Sequence, residues 1–272
     1  MSEVDQEKPE PGRRKRLSVL GVPVDAVDAG EAVRRFARLM ETPGCSFIVT
    51  PNSEIIWRAA GERELKDIIE NADLAVPDGI GIVYASKIMG RPLSERVTGV
   101  DLLSKILAWL EKNGKSIYLL GGAPVAAYNR SKERAPGSKS VAALAAEKIL
   151  KRYPNLVVTG TRDGYFEARE EDGIVRDINE SGADFLCVAM GSPRQEKFIR
   201  KYLRDLRVSA AMGVGGSLDI WAGTLKRAPD FFLNNGLEWL YRLYQEPSRL
   251  GRVAALPLFM ARVLIDEKIM KR

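Results

Sequence analysis

The chain has 272 residues, of which 45% are hydrophobic and 29% are charged, so it carries enough apolar side chains for a sizeable core. Lysine and arginine outnumber aspartate and glutamate by 42 to 36, and this net charge of +6 suits an anionic partner such as a nucleotide, a phosphorylated lipid, a membrane surface or nucleic acid. The chain has no histidine, which excludes histidine triads, histidine-ligated zinc and imidazole general bases.

The N-terminal end and one internal segment differ in character from the rest of the chain. Residues 1–16 are polar and end in the basic run Arg13–Arg16, which predicts a disordered tail without a signal peptide. Residues 126–140 are polar and basic within a pattern that otherwise continues as a helix to Arg152, and we predict an exposed inserted loop there. Neither basic segment gives enough support to predict nucleic-acid binding.

Short apolar runs alternate with helix-length segments that have one apolar face. The helical patterns include Ala29–Met40 and Leu102–Lys112. This alternation predicts an α/β fold with a mostly parallel sheet flanked by helices. The predicted strands are Leu17–Val22, Phe47–Thr50, Leu74–Val76, Ile117–Leu120, Leu156–Thr159, Phe185–Met190 and Ala210–Val214.

Five of these runs end in glycine, proline and polar residues. Such loops are common in α/β proteins, so one alone would mean little. Ligands bind at the carboxyl ends of the strands in open α/β sheets, and five such ends together predict a ligand-binding rim. The five loops begin at Pro51, Pro77, Gly121, Gly191 and Gly215.

The second loop supplies the candidate general base. Asp78 follows a short apolar strand in a Pro-Asp-Gly turn, and without histidine a carboxylate at the rim is the natural acceptor of a proton. The alternative is that Asp78 only caps a helix beginning near Gly79. Arg96 is the candidate for holding a phosphate through bidentate hydrogen bonds; the alternative is a surface arginine paired with Glu95 or Asp101.

Other rim residues are candidates for substrate binding. Thr50 and Asn52 could hold a sugar, although Asn52 could instead cap the following helix. Gly121 and Gly122 would allow the backbone to approach a ligand closely. Asp219, after a glycine-rich turn, could accept hydrogen bonds from ribose hydroxyls.

The sequence gives no sign of a metal site or a cofactor. No Asp-x-Asp pair stands at a predicted strand end, so a metal-held diphosphate is not expected. The two cysteines, Cys45 and Cys187, each lie beside an apolar run, and we interpret them as reduced core residues of a cytoplasmic protein.

From Gly236 onward, aromatic residues and arginines precede an apolar helical pattern. The apolar run is too short and too charged to span a membrane, but it suits a helix that lies in a membrane interface. A helix that packs on the core is the alternative. Arg242, Arg249 and Arg252 would share one face if 241–252 were nearly helical, although Pro247 interrupts that stretch. Membrane docking would then bring this face over the active site; generic attraction to anionic lipid is the alternative.

Eight motifs, taken in order, resemble the WecG/TagA/CpsF glycosyltransferases, and the TagA branch in particular. The resemblance runs from about Leu17 to the C-terminus. The motifs are TPNSE at Thr50–Glu54, PDGIGIV at Pro77–Val83, ERVTGVDL at Glu95–Leu102, YLLGG at Tyr118–Gly122, GSPRQE at Gly191–Glu196, GVGGSLD at Gly213–Asp219, RAP at Arg227–Pro229 and GLEWLYRL at Gly236–Leu243.

The resemblance implies a Rossmann-like α/β domain at 17–235 and a C-terminal appendage at 236–272 that docks on the bilayer. It implies transfer of N-acetylmannosamine from UDP to undecaprenyl-diphospho-N-acetylglucosamine at the inner membrane face, with inversion and a β-1,4 bond, for the linkage unit of wall teichoic acid. It also points to Asp78 as the base, and it places Gln195 and Glu196 in the donor nucleotide pocket. The chain departs from the family at 126–140 and at Arg162-Asp163, where relatives often carry histidine.

Several alternatives stay open at this point. Relatives also use the uronic acid of N-acetylmannosamine or glucose as donor sugars, and no single side chain here decides between them. A dinucleotide-dependent oxidoreductase lacks support because no Gly-x-Gly-x-x-Gly follows the first strand. A non-catalytic lipid- or nucleotide-binding module would leave the five polar strand ends unexplained. An exposed apolar appendage could also make the chain self-associate.

Overall fold

The computed structural model describes residues 15–124, 139–247, 250–253 and 255–270. The predicted tail therefore lies outside the described residues, except for its last two positions, and Arg16 is already the first residue of a strand. The predicted loop at 126–140 also lies outside them, except for its last two residues. Of these, Ser140 accepts a hydrogen bond from the backbone N–H of Ala143 and so caps the helix that follows.

The described residues contain a two-stranded and a six-stranded sheet. The six-stranded sheet has the order β4-β3-β8-β7-β5-β6, and every pair in it is parallel. The strands are β1 (Arg16–Val19), β2 (Val22–Asp25), β3 (Ser46–Val49), β4 (Leu74–Ala75), β5 (Ser116–Gly121), β6 (Val157–Arg162), β7 (Phe185–Ala189) and β8 (Ala210–Gly213).

Six of the seven predicted strands are confirmed as members of the parallel sheet. The prediction for Leu17–Val22 as one strand of that sheet is wrong. Leu20 and Gly21 both have positive φ, of 51° and 75°, so the chain reverses after Val19 and forms the antiparallel hairpin of β1 and β2. A two-residue loop with positive φ at both positions has the twist that joins two adjacent antiparallel strands.

Helices cover both faces of the six-stranded sheet. Phe47 and Val49 belong to one buried apolar cluster, whereas Ile48 between them belongs to the other, as the alternation of side chains along a strand requires. The helices are α1 (Ala29–Met40), α2 (Ser53–Gly61), α3 (Arg63–Glu70), α4 (Ile80–Ile88), α5 (Gly99–Lys112), α6 (Val141–Arg152), α7 (Glu171–Glu180), α8 (Arg194–Tyr202), α9 (Ser217–Ala222), α10 (Asp230–Asn234), α11 (Glu238–Gln245), α12 (Leu250–Val253) and α13 (Ala255–Met270).

Helix α1 has the predicted bounds, but α5 begins three residues earlier than predicted. The hydroxyl of Thr98 accepts a hydrogen bond from the backbone N–H of Asp101, so Thr98 is the N-cap and Gly99 is the first helical residue. The earlier start places the N-terminus of α5 next to the end of β4. A backbone bridge between Asp78 and Val97 joins the two segments there.

The C-terminal helix α13 packs on the core with one face and exposes the other. Phe259 and Val263 are fully buried in the same cluster as Ile56 of α2 and Ile82 of α4, so the core-packing alternative is correct for that face. Three large apolar side chains on α13 remain exposed: Leu258, Leu264 and Ile265. No helix within the described residues has the length and hydropathy needed to cross a membrane.

Residues 241–252 do not form one nearly continuous helix, so the condition for a shared face of the three arginines is not met. Helix α11 ends at Gln245, and α12 begins only at Leu250. Glu246, the residue before Pro247, has φ −132° and ψ 81°, which is extended rather than helical. The ring of a proline disfavours helical geometry in the preceding residue, so the helix ends there.

Candidate active site

The carboxyl ends of β3, β4, β5, β7 and β8 open into one cleft of about 870 Å³. All five loops that the sequence predicts for the rim line it, and that they bind a ligand stays a prediction. Helix α11 closes part of the wall with Glu238, Trp239 and Arg242. The cleft therefore lies between the C-terminal segment, here residues 230–270, and the edge of the sheet at which open α/β proteins bind their ligands.

Asp78 borders this cleft and is held at the N-terminus of α5. Its Oδ1 accepts a hydrogen bond from the backbone N–H of Gly99 at 3.3 Å, and its own N–H donates to the carbonyl of Pro51 at 2.9 Å. Gly79 is the N-cap residue of helix α4, and no side chain forms a capping hydrogen bond there. The alternative that Asp78 only caps that helix is therefore wrong.

Burial raises the pKa of Asp78 to about 6, and the charge of Glu238 adds to this effect. Arg242, the N–H of Gly99 and Arg96 oppose it by favouring the carboxylate. A carboxyl group with a pKa this close to neutrality can both accept and release a proton near pH 7. This pKa suits a general base, and the catalytic role of Asp78 stays a prediction.

Arg96 lies in the same cleft and is paired with the C-terminal segment. Its guanidinium forms a close ion pair with Glu238 and donates from Nη1 to the carbonyl of Leu233 at 2.9 Å. Glu238 also pairs with Arg242, whose Nη2 lies 2.8 Å from its Oε1. One carboxylate thus joins two arginines that both border the cleft.

The neighbours that the sequence offered as partners for Arg96 are occupied elsewhere. Glu95 accepts a hydrogen bond from the backbone N–H of Ala29, and Asp101 pairs with Arg227. The alternative of a surface pair with Glu95 or Asp101 is therefore wrong. Arg96 is instead one of the more buried arginines, with 16% of its side chain exposed.

Comparison with known proteins places this architecture in a family. The sequence profile of the glycosyl transferase WecG/TagA/CpsF family matches residues 17–272. The chain belongs to this family. Its cleft, its parallel sheet and its motifs are therefore those of a glycosyltransferase.

Curated relatives are between 29% and 35% identical to this glycosyltransferase over the aligned residues. A protein of Bacillus spizizenii strain W23 is 35% identical over 223 residues, which cover 82% of this chain and 80% of the relative. A protein of Staphylococcus aureus strain MW2 is 29% identical over 259 residues, covering 94% of this chain and 95% of the relative. Both bear the name N-acetylglucosaminyldiphosphoundecaprenol N-acetyl-beta-D-mannosaminyltransferase.

Among the other predicted residues of this glycosyltransferase, Thr50 and Asn52 both line the cleft. The hydroxyl of Thr50 donates to the carbonyl of Gly213 at 3.2 Å. The side-chain oxygen of Asn52 accepts from the backbone N–H of Ile55 at 3.0 Å, so the capping alternative is correct for Asn52. Capping uses the amide oxygen, and the NH₂ group is the part of Asn52 that can donate to a ligand.

Gln195 lines the cleft, whereas Glu196 lies behind it. The Oε1 of Gln195 accepts from the N–H of Gly215 at 3.0 Å, and its Nε2 donates to Glu196 at 2.8 Å. Glu196 is 2% exposed, and burial raises the pKa of its carboxyl. Its carboxylate accepts from Gln195 and thereby fixes the orientation of the Gln195 amide. Membership of a donor pocket stays a prediction for both residues.

The two glycines at the end of β5 differ in their surroundings. Gly122 lines the cleft, with φ 68°. Gly121 is buried, and a Cβ there would lie 2.3 Å from the carbonyl oxygen of Ala189, so the packing of β5 against β7 requires glycine. Asp219 lines the cleft from α9. Its role and those of the glycines stay predictions.

Two of the three predicted C-terminal arginines cannot be placed in the cleft. Arg242 lines it, as described above. Arg249 and the side chain of Arg252 lie outside the part of the chain that the structure describes. Because α11 and α12 are separate helices, a common face of the three arginines no longer follows from helical spacing.

The sequence reasoning missed two residues that organise the cleft. Glu238 joins the two arginines, and Arg194 donates to the carbonyls of Gly164 at 2.9 Å and Phe166 at 3.0 Å. Arg194 thereby ties the loop after β7 to the loop after β6. Both residues belong to motifs named above, GLEWLYRL and GSPRQE, but the sequence does not show which residues they contact.

The described residues contain no group of three or more His, Cys, Asp or Glu side chains that could hold a metal ion. Cys45 and Cys187 are free, as predicted, and burial raises the pKa of the Cys45 thiol to about 12. Burial also raises the pKa of the Cys187 thiol, so both thiols are protonated at neutral pH and are poor nucleophiles. Independence from metal stays a prediction.

Proposed function

We propose that this family member is an inverting glycosyltransferase that moves N-acetylmannosamine from UDP to undecaprenyl-diphospho-N-acetylglucosamine, forming a β-1,4 bond in the wall teichoic acid linkage unit. The names of the relatives support this acceptor and this sugar. The observation that carries the chemistry is a largely desolvated carboxyl, Asp78, in the same cleft as the arginine pair Arg96 and Arg242.

In the proposed reaction, Asp78 takes the proton from a hydroxyl of the acceptor sugar. The acceptor oxygen attacks C1 of the donor sugar from the face opposite the nucleotide, and the bond between C1 and the phosphate oxygen breaks. UDP leaves with that electron pair, and the proton on Asp78 passes to solvent. Arg96 and Arg242 neutralise charge on the diphosphate through hydrogen bonds from their guanidinium groups. No metal ion is required in this scheme.

The acceptor lipid calls for a surface that meets the membrane, and the C-terminal segment offers one. Large apolar side chains that are exposed concentrate there, and the net charge of +6 favours an anionic inner leaflet. We propose that this surface docks on the inner face of the membrane. The exposed residues are Phe231, Leu240, Tyr244, Leu250, Leu258, Leu264 and Ile265.

A panel of donors tests this function. The protein is mixed with a short-chain lipid-diphospho-N-acetylglucosamine and with UDP-N-acetylmannosamine, its uronic acid or UDP-glucose. We expect a disaccharide-lipid product with UDP-N-acetylmannosamine and none with Asp78→Asn. Product from one of the other donors would move the proposal to that sugar. No product from any donor in the presence of vesicles would contradict a role as transferase and favour a binding module.

A further inference from the structure

One carboxylate in the cleft forms ion pairs with both arginines that are candidates for binding phosphate. Oε1 of Glu238 pairs with Arg242, and Oε2 pairs with Arg96. The side chain of Glu238 is 18% exposed. Each oxygen faces a different guanidinium, which is the way in which an oxyanion bridges two arginines.

Arg96 has a hydrogen-bond donor that could bind a ligand. The buried Nε of Arg96 has no hydrogen-bond partner among the described residues, while its two other nitrogens bind Glu238 and the carbonyl of Leu233. A buried donor without a partner costs free energy, so an anion with more oxygens than a carboxylate would satisfy the cluster better.

The negative charge of Glu238 would still be stabilised if Glu238 separated from the two arginines. It is the first residue of α11, and the dipole of a helix stabilises a negative charge at its N-terminus. An incoming diphosphate carries at least two negative charges and repels the Glu238 carboxylate while attracting both guanidinium groups. The exchange therefore gives the two arginines a more highly charged partner, and the N-terminus of α11 continues to stabilise the Glu238 carboxylate.

We propose that Glu238 is an internal substitute for the substrate diphosphate: it occupies Arg96 and Arg242 in the substrate-free protein, and the diphosphate displaces it from them. Glu238 is then a positioning residue, and an anion binds the two arginines only if it binds them more strongly than Glu238 does. A monophosphate or a carboxylate gains little over Glu238, whereas a diphosphate gains a second bridging phosphate. This inference rests on the proposed function only in that the substrate contains a diphosphate.

Calorimetric titration with UDP and with inorganic pyrophosphate tests the displacement without relying on sugar transfer. We expect Glu238→Gln to bind both at least fivefold more tightly than the wild type, a gain of about 1 kcal/mol, because the competing charge is gone. Glu238→Asp keeps the charge but is one methylene too short to reach both guanidinium groups, so a gain of about twofold is expected. Glu246→Gln removes the same charge from the same cleft and is the matched control.

The outcomes separate this inference from the proposed function. Binding by Glu238→Gln that is no tighter than binding by Glu246→Gln, or no binding of either probe by any variant, overturns the displacement. Tighter binding without sugar transfer would leave the displacement standing and contradict only the transferase. If Glu238→Gln fails to fold by circular dichroism, Glu238→Asp decides by the same comparison.

A pH profile adds a measurement that a purely structural role would not change. The charged groups that act on Asp78 are Arg242, Glu238 and Arg96, together with the N–H of Gly99. Removing the charge of Glu238 lowers the pKa of Asp78, so the acid limb of kcat/KM should move to lower pH in Glu238→Gln. An unmoved limb would show that Glu238 does not act on the cleft through its charge.

Discussion

Asp78→Asn should abolish sugar transfer and, at the same time, stabilise the folded protein. The substitution keeps the shape of the side chain and an oxygen that can accept from the N–H of Gly99. It removes both the basic group and the negative charge. The same substitution should therefore lower activity and raise stability. Burial makes the carboxylate a stronger base, and it also makes the charged form of Asp78 destabilise the folded protein.

The magnitude of the stability effect follows from the pKa of Asp78. Raising a pKa from 3.8 to about 6 corresponds to about 3 kcal/mol of free energy between the two protonation states. The folded-state pKa lies above the unfolded value, so the stabilising contribution is complete below about pH 4 and is lost as the pH rises through about 6. At pH 8 the wild type bears the full cost, and Asp78→Asn should be more stable by about 1 to 3 kcal/mol.

Urea unfolding at pH 4 and pH 8 measures this difference. Asp101→Asn is the control, since Asp101 is a partly exposed carboxylate whose ion pair with Arg227 should contribute less than about 1 kcal/mol. Loss of a general base should lower kcat by about 10²- to 10⁴-fold, while UDP binding is retained. Near-normal turnover would remove Asp78 from the mechanism. An equal stability of both proteins at pH 8 would refute the argument from burial.

Three further predictions concern other parts of the molecule. Glu196→Gln should raise the unfolding free energy at pH 8 but not at pH 4, since burial raises the pKa of Glu196; urea titrations would contradict this if they showed destabilisation at pH 8. Phe259→Ala should cost about 3 to 5 kcal/mol in the same assay, because Phe259 is 0% exposed in the core; a loss below 1 kcal/mol would show that α13 is not anchored there. Transfer should survive EDTA, since Arg96 and Arg242 replace a metal on the diphosphate; activity that EDTA abolishes and Mg²⁺ restores would contradict this.

Much of the fold could be predicted because its signals are local. Each buried strand is a short apolar run that ends in glycine, proline or a polar residue, and these features act within a few residues of chain. The same reasoning located Asp78, since a Pro-Asp-Gly turn after a strand places a carboxylate at the strand end. The hairpin was missed because Leu20 takes a positive φ that non-glycine residues rarely adopt.

The C-terminal helix shows where periodicity fails. Apolar residues of α13 stand on more than one face, so the pattern fits both a helix packed on a core and one that lies on a membrane. Only the position of α2 and α4 decides that Phe259 and Val263 are buried while Leu264 and Ile265 are exposed.

The sequence by itself determined the alternation of helices with the six strands of the parallel sheet, the polar rim and its candidate base, because turn chemistry and hydrophobic periodicity depend on neighbouring residues. Only the tertiary structure decided the electrostatics of the cleft. Arg96 and Glu238 are 142 residues apart, and no local pattern links them. Their pairing exists because the chain returns to the sheet edge after β8, and a charge interaction depends on distance in space rather than on distance along the chain.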